Sequence, residues 1–149
     1  SYFIYGPLVF SSVSRELVGG LSRVQQVFFN DRGIEILKHI NRPPYFEGEE
    51  LVIVPTSMFS HRIIKSYSQP VFSVVERVNG TKVKNLAHLA ELLRDADGEF
   101  IEFEFASDSS ETLVFLRKEI EEATEEILSD NGIRNQYSED LSDVFEKKK

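Results

Sequence analysis

The chain has 149 residues, 41% of them hydrophobic, and a formal charge of -8 from 25 acidic and 17 basic side chains. That length suits one core of ordinary size with elaborations or a tail, and the acidity sets the molecule as a whole against a phosphate backbone, so nucleic acid is not an expected partner. Cysteine is absent, which excludes disulfides, thiolate nucleophiles and cysteine-based zinc or iron-sulfur sites.

Twelve Phe and five Tyr predict an aromatic-rich core that needs no metal or disulfide to hold it, and no cofactor is expected. The one basic run, Lys147, Lys148 and Lys149, reads as a frayed end. No apolar stretch approaches the roughly 20 residues that cross a bilayer. The chain opens at Ser1 without a charged leader and apolar segment, and it is expected to be a fragment of a longer protein.

In chain order, "YFIYGPLVF" reads as a loop that turns at Gly6 and Pro7 into a buried strand over residues 8–12. Ser14 can cap a helix that Gly19 and Gly20 interrupt, and a second short helix from Asp31 stops before Pro43. Residues 51–54 form a compact strand ended by Pro55. "PVFSVVERVNG" alternates, with Val71, Ser73, Val75 and Arg77 on one side and Phe72, Val74, Glu76 and Val78 on the other. Asn79 and Gly80 tolerate the positive φ of a type I′ turn, so the chain reverses into residues 81–84.

Asn85 then caps the helix "NLAHLAELLRDA", whose core stripe is Leu86, Leu89, Ala90 and Leu93. Residues 100–105 alternate cleanly and pair with 112–116 as a hairpin. "RKEIEEATEEILSDNGI" is an acidic amphipathic helix with Ile120, Ala123, Thr124, Ile127 and Leu128 inward and Gly132 at its end. These elements predict a single domain over residues 1–141 with a helical insertion at 14–44, and a flexible tail at 142–149.

No catalytic set emerges. A serine hydrolase needs a nucleophile, a His and an orienting carboxylate, yet no Ser sits in a G-x-S-x-G elbow, and His39, His61 and His88 are scattered. No His pair has the i, i+4 spacing of a metal helix, and the acidic cluster around Glu119, Glu122 and Glu125 lacks a cation-wrapping loop, so no catalytic, cofactor or metal residue is assigned. What remains is His88 and Leu92, neighbours on one flank of the helix after Asn85. Either they line one wall of a groove, or Leu92 broadens the core face and His88 faces solvent.

"VNGTKVKNLAHLAELLRDADGEFIEFEF" resembles the second half of a PDZ domain, with His88 and Leu92 at the places of the groove helix that face a ligand. "YGPLVFSS" is similar to the carboxylate-binding loop and its strand, Pro7, Leu8, Val9 and Phe10 matching the GLGF tetrapeptide. "GEELVIVP" and "EATEEILSDNGIRNQYSEDL" extend the likeness to the C-terminal, second PDZ domain of the Deg/HtrA (protease Do-like) serine proteases, especially the plant-organelle type.

The resemblance implies an α+β fold: a partly open antiparallel barrel or sandwich of five to six strands with a groove helix, a helical insertion and a C-terminal helix. It implies a non-catalytic module of a serine endopeptidase, located in a chloroplast, a mitochondrion or a bacterial envelope. Its partners would be other subunits or domains of the parent protease, or peptide and unfolded segments. A bound peptide would add a strand beside Leu8, Val9, Phe10, Ser11 and Ser12, with His88 and Leu92 on the far wall. Val9 stands where the tetrapeptide carries its second Gly, and Pro7 offers no N-H. The groove is therefore open to a peptide, suited to an internal segment, or filled by the protein itself.

Overall fold

The computed structural model describes residues 1–13, 50–64, 67–71, 73–106 and 111–146. The helices expected over 14–44 lie outside the described residues. The described elements are two antiparallel sheets and three α-helices, an α+β arrangement with no closed barrel. The first sheet has the order β1-β2-β3, with β1 at Tyr2–Tyr5, β2 at Leu8–Val13 and β3 at Leu51–Ile53. The second has the order β5-β4-β6-β7, from Val75–Val78 (β4), Thr81–Lys82 (β5), Phe100–Phe105 (β6) and Leu113–Leu116 (β7). A bridge between Ile53 and Val74 joins them.

The opening stretch corrects the expectation of a loop. Tyr2–Tyr5 is a strand that pairs with β2 from Tyr2 opposite Ser11 to Tyr5 opposite Leu8, which leaves Gly6 and Pro7 as a two-residue turn. Gly6 has φ of 58°, and a Gly in the first position followed by a residue of fixed negative φ is the pattern of a type II′ hairpin. Its backbone also passes so close to the helix Arg117–Asp130 that a Cβ would collide with Ile120.

β4 departs from simple alternation because a bulge lies between Val75 and Arg77 against β6. The extra residue turns the faces over, so Val74, Val75 and Val78 are all buried. The following turn behaves as its residues dictate. Asn79 has φ of 49° and Gly80 of 82°, and Asn79 fastens the turn to β6 by exchanging hydrogen bonds with Glu102, its amide donating at 2.9 Å and its Oδ1 accepting at 2.8 Å.

Helix α1, Leu86–Arg94, is capped by Asn85, whose side chain accepts from the His88 amide. Its predicted stripe of Leu86, Leu89, Ala90 and Leu93 is buried. Helix α2, Arg117–Asp130, follows β7 without a loop and buries Ile120, Ala123, Thr124 and Ile127. The core between these elements is aromatic, with Phe10 packed on Phe103 at 5.4 Å between ring centroids and Phe103 edge-on to Phe115 at 6.4 Å.

At the start of the expected tail lies the short helix α3, Ser142–Phe145. Phe145 stands edge-on to Phe3 at 4.9 Å and lies 5.3 Å from Tyr137. Leu141, Val144 and Phe145 fall at i, i+3 and i+4, which brings them onto one face. Leu141 is buried and the other two pack against the core.

Candidate functional site

The residues matched to a ligand-binding strand lie in β2, which is paired on one flank along Leu8–Ser11 and on the other at Ser11–Val13. On one side Leu8, Val9, Phe10 and Ser11 pair with Tyr5, Ile4, Phe3 and Tyr2. On the other, Ser11, Ser12 and Val13 pair with Ile53, Val52 and Leu51, and beyond that pairing the Phe59 amide donates to Pro7 O at 2.9 Å. A further strand therefore finds no vacant ladder on the β1 side of Leu8–Ser11 unless β1 leaves it, and none beside Ser11–Val13 on the other.

The turn that precedes β2 is equally committed. The Gly6 amide donates to Thr124 Oγ1 at 2.7 Å, Pro7 has no N-H, and Leu8 stands in the ladder opposite Tyr5. The loop matched to GLGF is thus a closed hairpin rather than an open nest of amides that could hold a carboxylate. Phe10 and Leu8 point into the core, where both are fully buried, while Val9, Ser11 and Ser12 retain partial exposure.

β1 is itself covered on its outer edge. The Ile4 amide donates to Gln136 O at 2.7 Å and the Ser138 amide to Tyr2 O at 3.0 Å, around a bridge between Phe3 and Tyr137. The Gln136 side chain adds a hydrogen bond to Ile4 O at 2.8 Å, and Ser138 Oγ accepts from the Tyr2 amide at 3.1 Å. Residues 136–138 thus extend the first sheet by a short run of strand-like pairing. The chain continues into α3, which packs on α1 and is tied there by Arg94 donating to Val144 O.

On α1, His88 is partly buried and its ring is used locally: Nδ1 accepts from the Lys84 amide at 3.1 Å. That contact leaves Nε2 as the protonated nitrogen of the neutral ring. Burial first, and then the charge of Lys84, hold its pKa below the usual imidazole value, with Glu91 opposing. Leu92 is partly buried and packs against the core. His88 and Leu92 lie four residues apart on α1, and α1 packs against both β1 and β2.

His61 lies elsewhere, its Nε2 on Glu126 Oε2 at 3.0 Å and its Nδ1 accepting from the Ile63 amide at 3.3 Å, while Arg62 reaches the same carboxylate at 3.1 Å. Among the described residues no three His, Asp or Glu side chains gather as a metal would require. No helix among them is long and apolar enough to cross a membrane.

The covering of β1 by residues 136–138 and α3 escaped the sequence reading. The Leu141, Val144, Phe145 spacing was the available signal, short but amphipathic within a polar stretch.

Two antiparallel sheets with the hairpin at Gly6, the bulged β4 and the capped helix α1 make an α+β fold of the PDZ type, and the chain belongs to the PDZ domain family. The family model described as "PDZ domain" matches residues 1–140. Among curated proteins the chain is 27% identical over 149 residues, all of it, to "Putative protease Do-like 3, mitochondrial" of Arabidopsis thaliana, covering 24% of that protein. It is 27% identical over 146 residues, 97% of the chain and 23% of the relative, to "Protease Do-like 2, chloroplastic", and 30% identical over 97 residues, 65% of the chain and 17% of the relative, to "Putative protease Do-like 11, mitochondrial", both also of Arabidopsis thaliana. The chain thus spans about a quarter or less of these Do-like (Deg/HtrA) relatives.

Proposed function

We propose that this chain is a non-catalytic PDZ domain of a Deg/HtrA-type serine endopeptidase and that it serves subunit assembly and the regulation of proteolysis through protein contacts. The observation that carries the reading is the occupancy of β2: Leu8 to Ser11 are paired with β1, and β1 in turn with residues 136–138. A module whose ligand strand is filled from within its own chain meets partners through its outer surfaces. The names of the relatives support a plant organelle, mitochondrion or chloroplast, as the compartment.

The alternative is capture of C-terminal tails of substrates by strand addition beside Leu8, Val9, Phe10, Ser11 and Ser12, with His88 and Leu92 selecting side chains. On the β1 side of β2 it requires β1 to give way. Sedimentation over a range of concentrations, paired with amide NMR during titration of peptides bearing free C-terminal carboxylates, separates the two. Assembly predicts a mass that rises with concentration and unmoved β2 signals. Shifts concentrated at residues 8–12, His88 and Leu92 on a monomeric protein would overturn it in favour of capture.

A further inference from the structure

Beside the closed hairpin, between the end of β1, the last turn of α1, the outer face of α2 and residues 136–146, lies a cavity of about 620 Å³. Three carboxylates border it, Glu121, Glu125 and Glu146. Among its lining residues Arg94 is the only cation, and that guanidinium is committed: Nε and Nη2 clasp Asp95 at 2.7 and 2.8 Å, and Nη1 donates to Val144 O. Glu121 is held by Arg117 at 3.2 Å, and Glu146 accepts from the Tyr137 hydroxyl at 2.6 Å, which pushes that phenol up to about 12. Glu125 is exposed and has no hydrogen-bond or ion-pair partner among the described residues.

A second feature of the wall is independent of charge. Tyr5 is only 4% exposed, and its hydroxyl is the one buried side-chain oxygen among the described residues with no hydrogen-bond partner. Such a group carries a desolvation cost that an incoming donor or acceptor would relieve. Burial, reinforced by the charge of Glu121 and opposed by Arg117, raises its pKa and keeps it a neutral phenol. The rings of Tyr137 and Phe145, tilted by 53° to each other, complete an aromatic side of the same cavity.

We propose that this cavity receives an arginine side chain of a partner protein. A guanidinium stacks on aromatic faces and carries five donors in one plane, which suits a wall that offers a free carboxylate, Glu125, and an unpartnered hydroxyl, Tyr5. A lysine offers a compact, strongly hydrated charge that uses the rings less well. A terminal carboxylate is repelled by the three acids. The proposal rests on the reading that this domain makes protein contacts, and it adds the chemistry of one contact.

The test titrates the 149-residue protein with acetyl-Gly-Arg-Gly-amide and with its lysine and citrulline counterparts, followed by amide NMR. The arginine peptide should move the Glu125, Gln136 and Tyr137 amides, lysine should bind more weakly, and the uncharged citrulline isostere should leave them in place. Glu125→Gln should weaken arginine by roughly fivefold, the size of an exposed charge or cation-π contact. Tyr5→Phe, which deletes an unpartnered hydroxyl without altering the ring, should also weaken it. Unmoved amides, citrulline equal to arginine, or wild-type affinity in both variants overturns the assignment. A protein that self-associates yet ignores all three peptides overturns the cavity alone and leaves the assembly reading standing.

Discussion

Gly6 and Thr124, separated by 118 positions, are joined by a buried hydrogen bond of 2.7 Å from the turn amide to the helix hydroxyl. The same hydroxyl donates to Ile120 O at 2.8 Å, so Thr124 both accepts from the hairpin and stays bound to its own helix. Thr124→Val keeps the shape and removes the acceptor, leaving a buried N-H unmatched. The expected loss is about 1–3 kcal/mol, read as a lower urea midpoint at unchanged slope.

Gly6→Ala tests the close approach from the other side. The residue has φ of 58°, and an added Cβ would meet the Ile120 side chain. Overpacking and left-handed strain together should cost about 2–4 kcal/mol. Combined with Ile120→Ala, which removes both Cγ1 and Cδ1, it should cost clearly less than the sum of the two single losses if the Ile120 contact is its source, and the full sum if backbone strain is.

The flank and the stripe of α1 separate by burial. Leu89 is fully buried, so Leu89→Ala should cost about 2–5 kcal/mol. Leu92 is only partly buried, and Leu92→Ala should cost less than half as much in the same thermal or chemical melt. Equal losses would mean that Leu92 belongs to the core stripe.

His88 gives the fold a pH dependence with a defined sign. Its folded pKa lies below the ordinary 6.5 through burial and then Lys84, so between those two values the unfolded chain binds more protons. Stability therefore falls as pH is lowered from above 6.5 toward the folded pKa, where Nδ1 takes a proton and can no longer accept from the Lys84 amide. Urea midpoints at pH 7.5 and 5.5 should differ more for the wild type than for His88→Gln. An identical pH response in both proteins would remove His88 as the cause.

How much of this was legible in the sequence follows the range of the interactions. The Asn79-Gly80 turn, the Asn85 cap and the stripe of α1 depend on residues within one or two turns of each other, and their patterns carried them. The strand at Tyr2–Tyr5 did not show itself, because a four-residue apolar run has no alternation and half of its pairing comes from residues 136–138. The candidate site suffered most. Leu8, Val9, Phe10, Ser11 and Ser12 do lie on a strand, and His88 and Leu92 on one flank of α1, but whether the ladder between them was free depended on contacts between opposite ends of the chain.

That closing contact is itself testable through Phe145, whose ring lies 4.9 Å from Phe3 and 5.3 Å from Tyr137. Phe145→Ala should cost about 1–3 kcal/mol, below a full core truncation because the ring is only partly buried. The loss should be local. Hydrogen exchange at the Ile4 and Ser138 amides, which pair across β1 and residues 136–138, should accelerate while the Leu89 amide keeps its protection. A freed β1 edge also exposes unpaired backbone to other chains, so the variant should associate at lower concentration than the wild type. Uniform acceleration across the whole domain would instead mean that α3 supports the fold globally, and the covering of β1 would not be a separable unit.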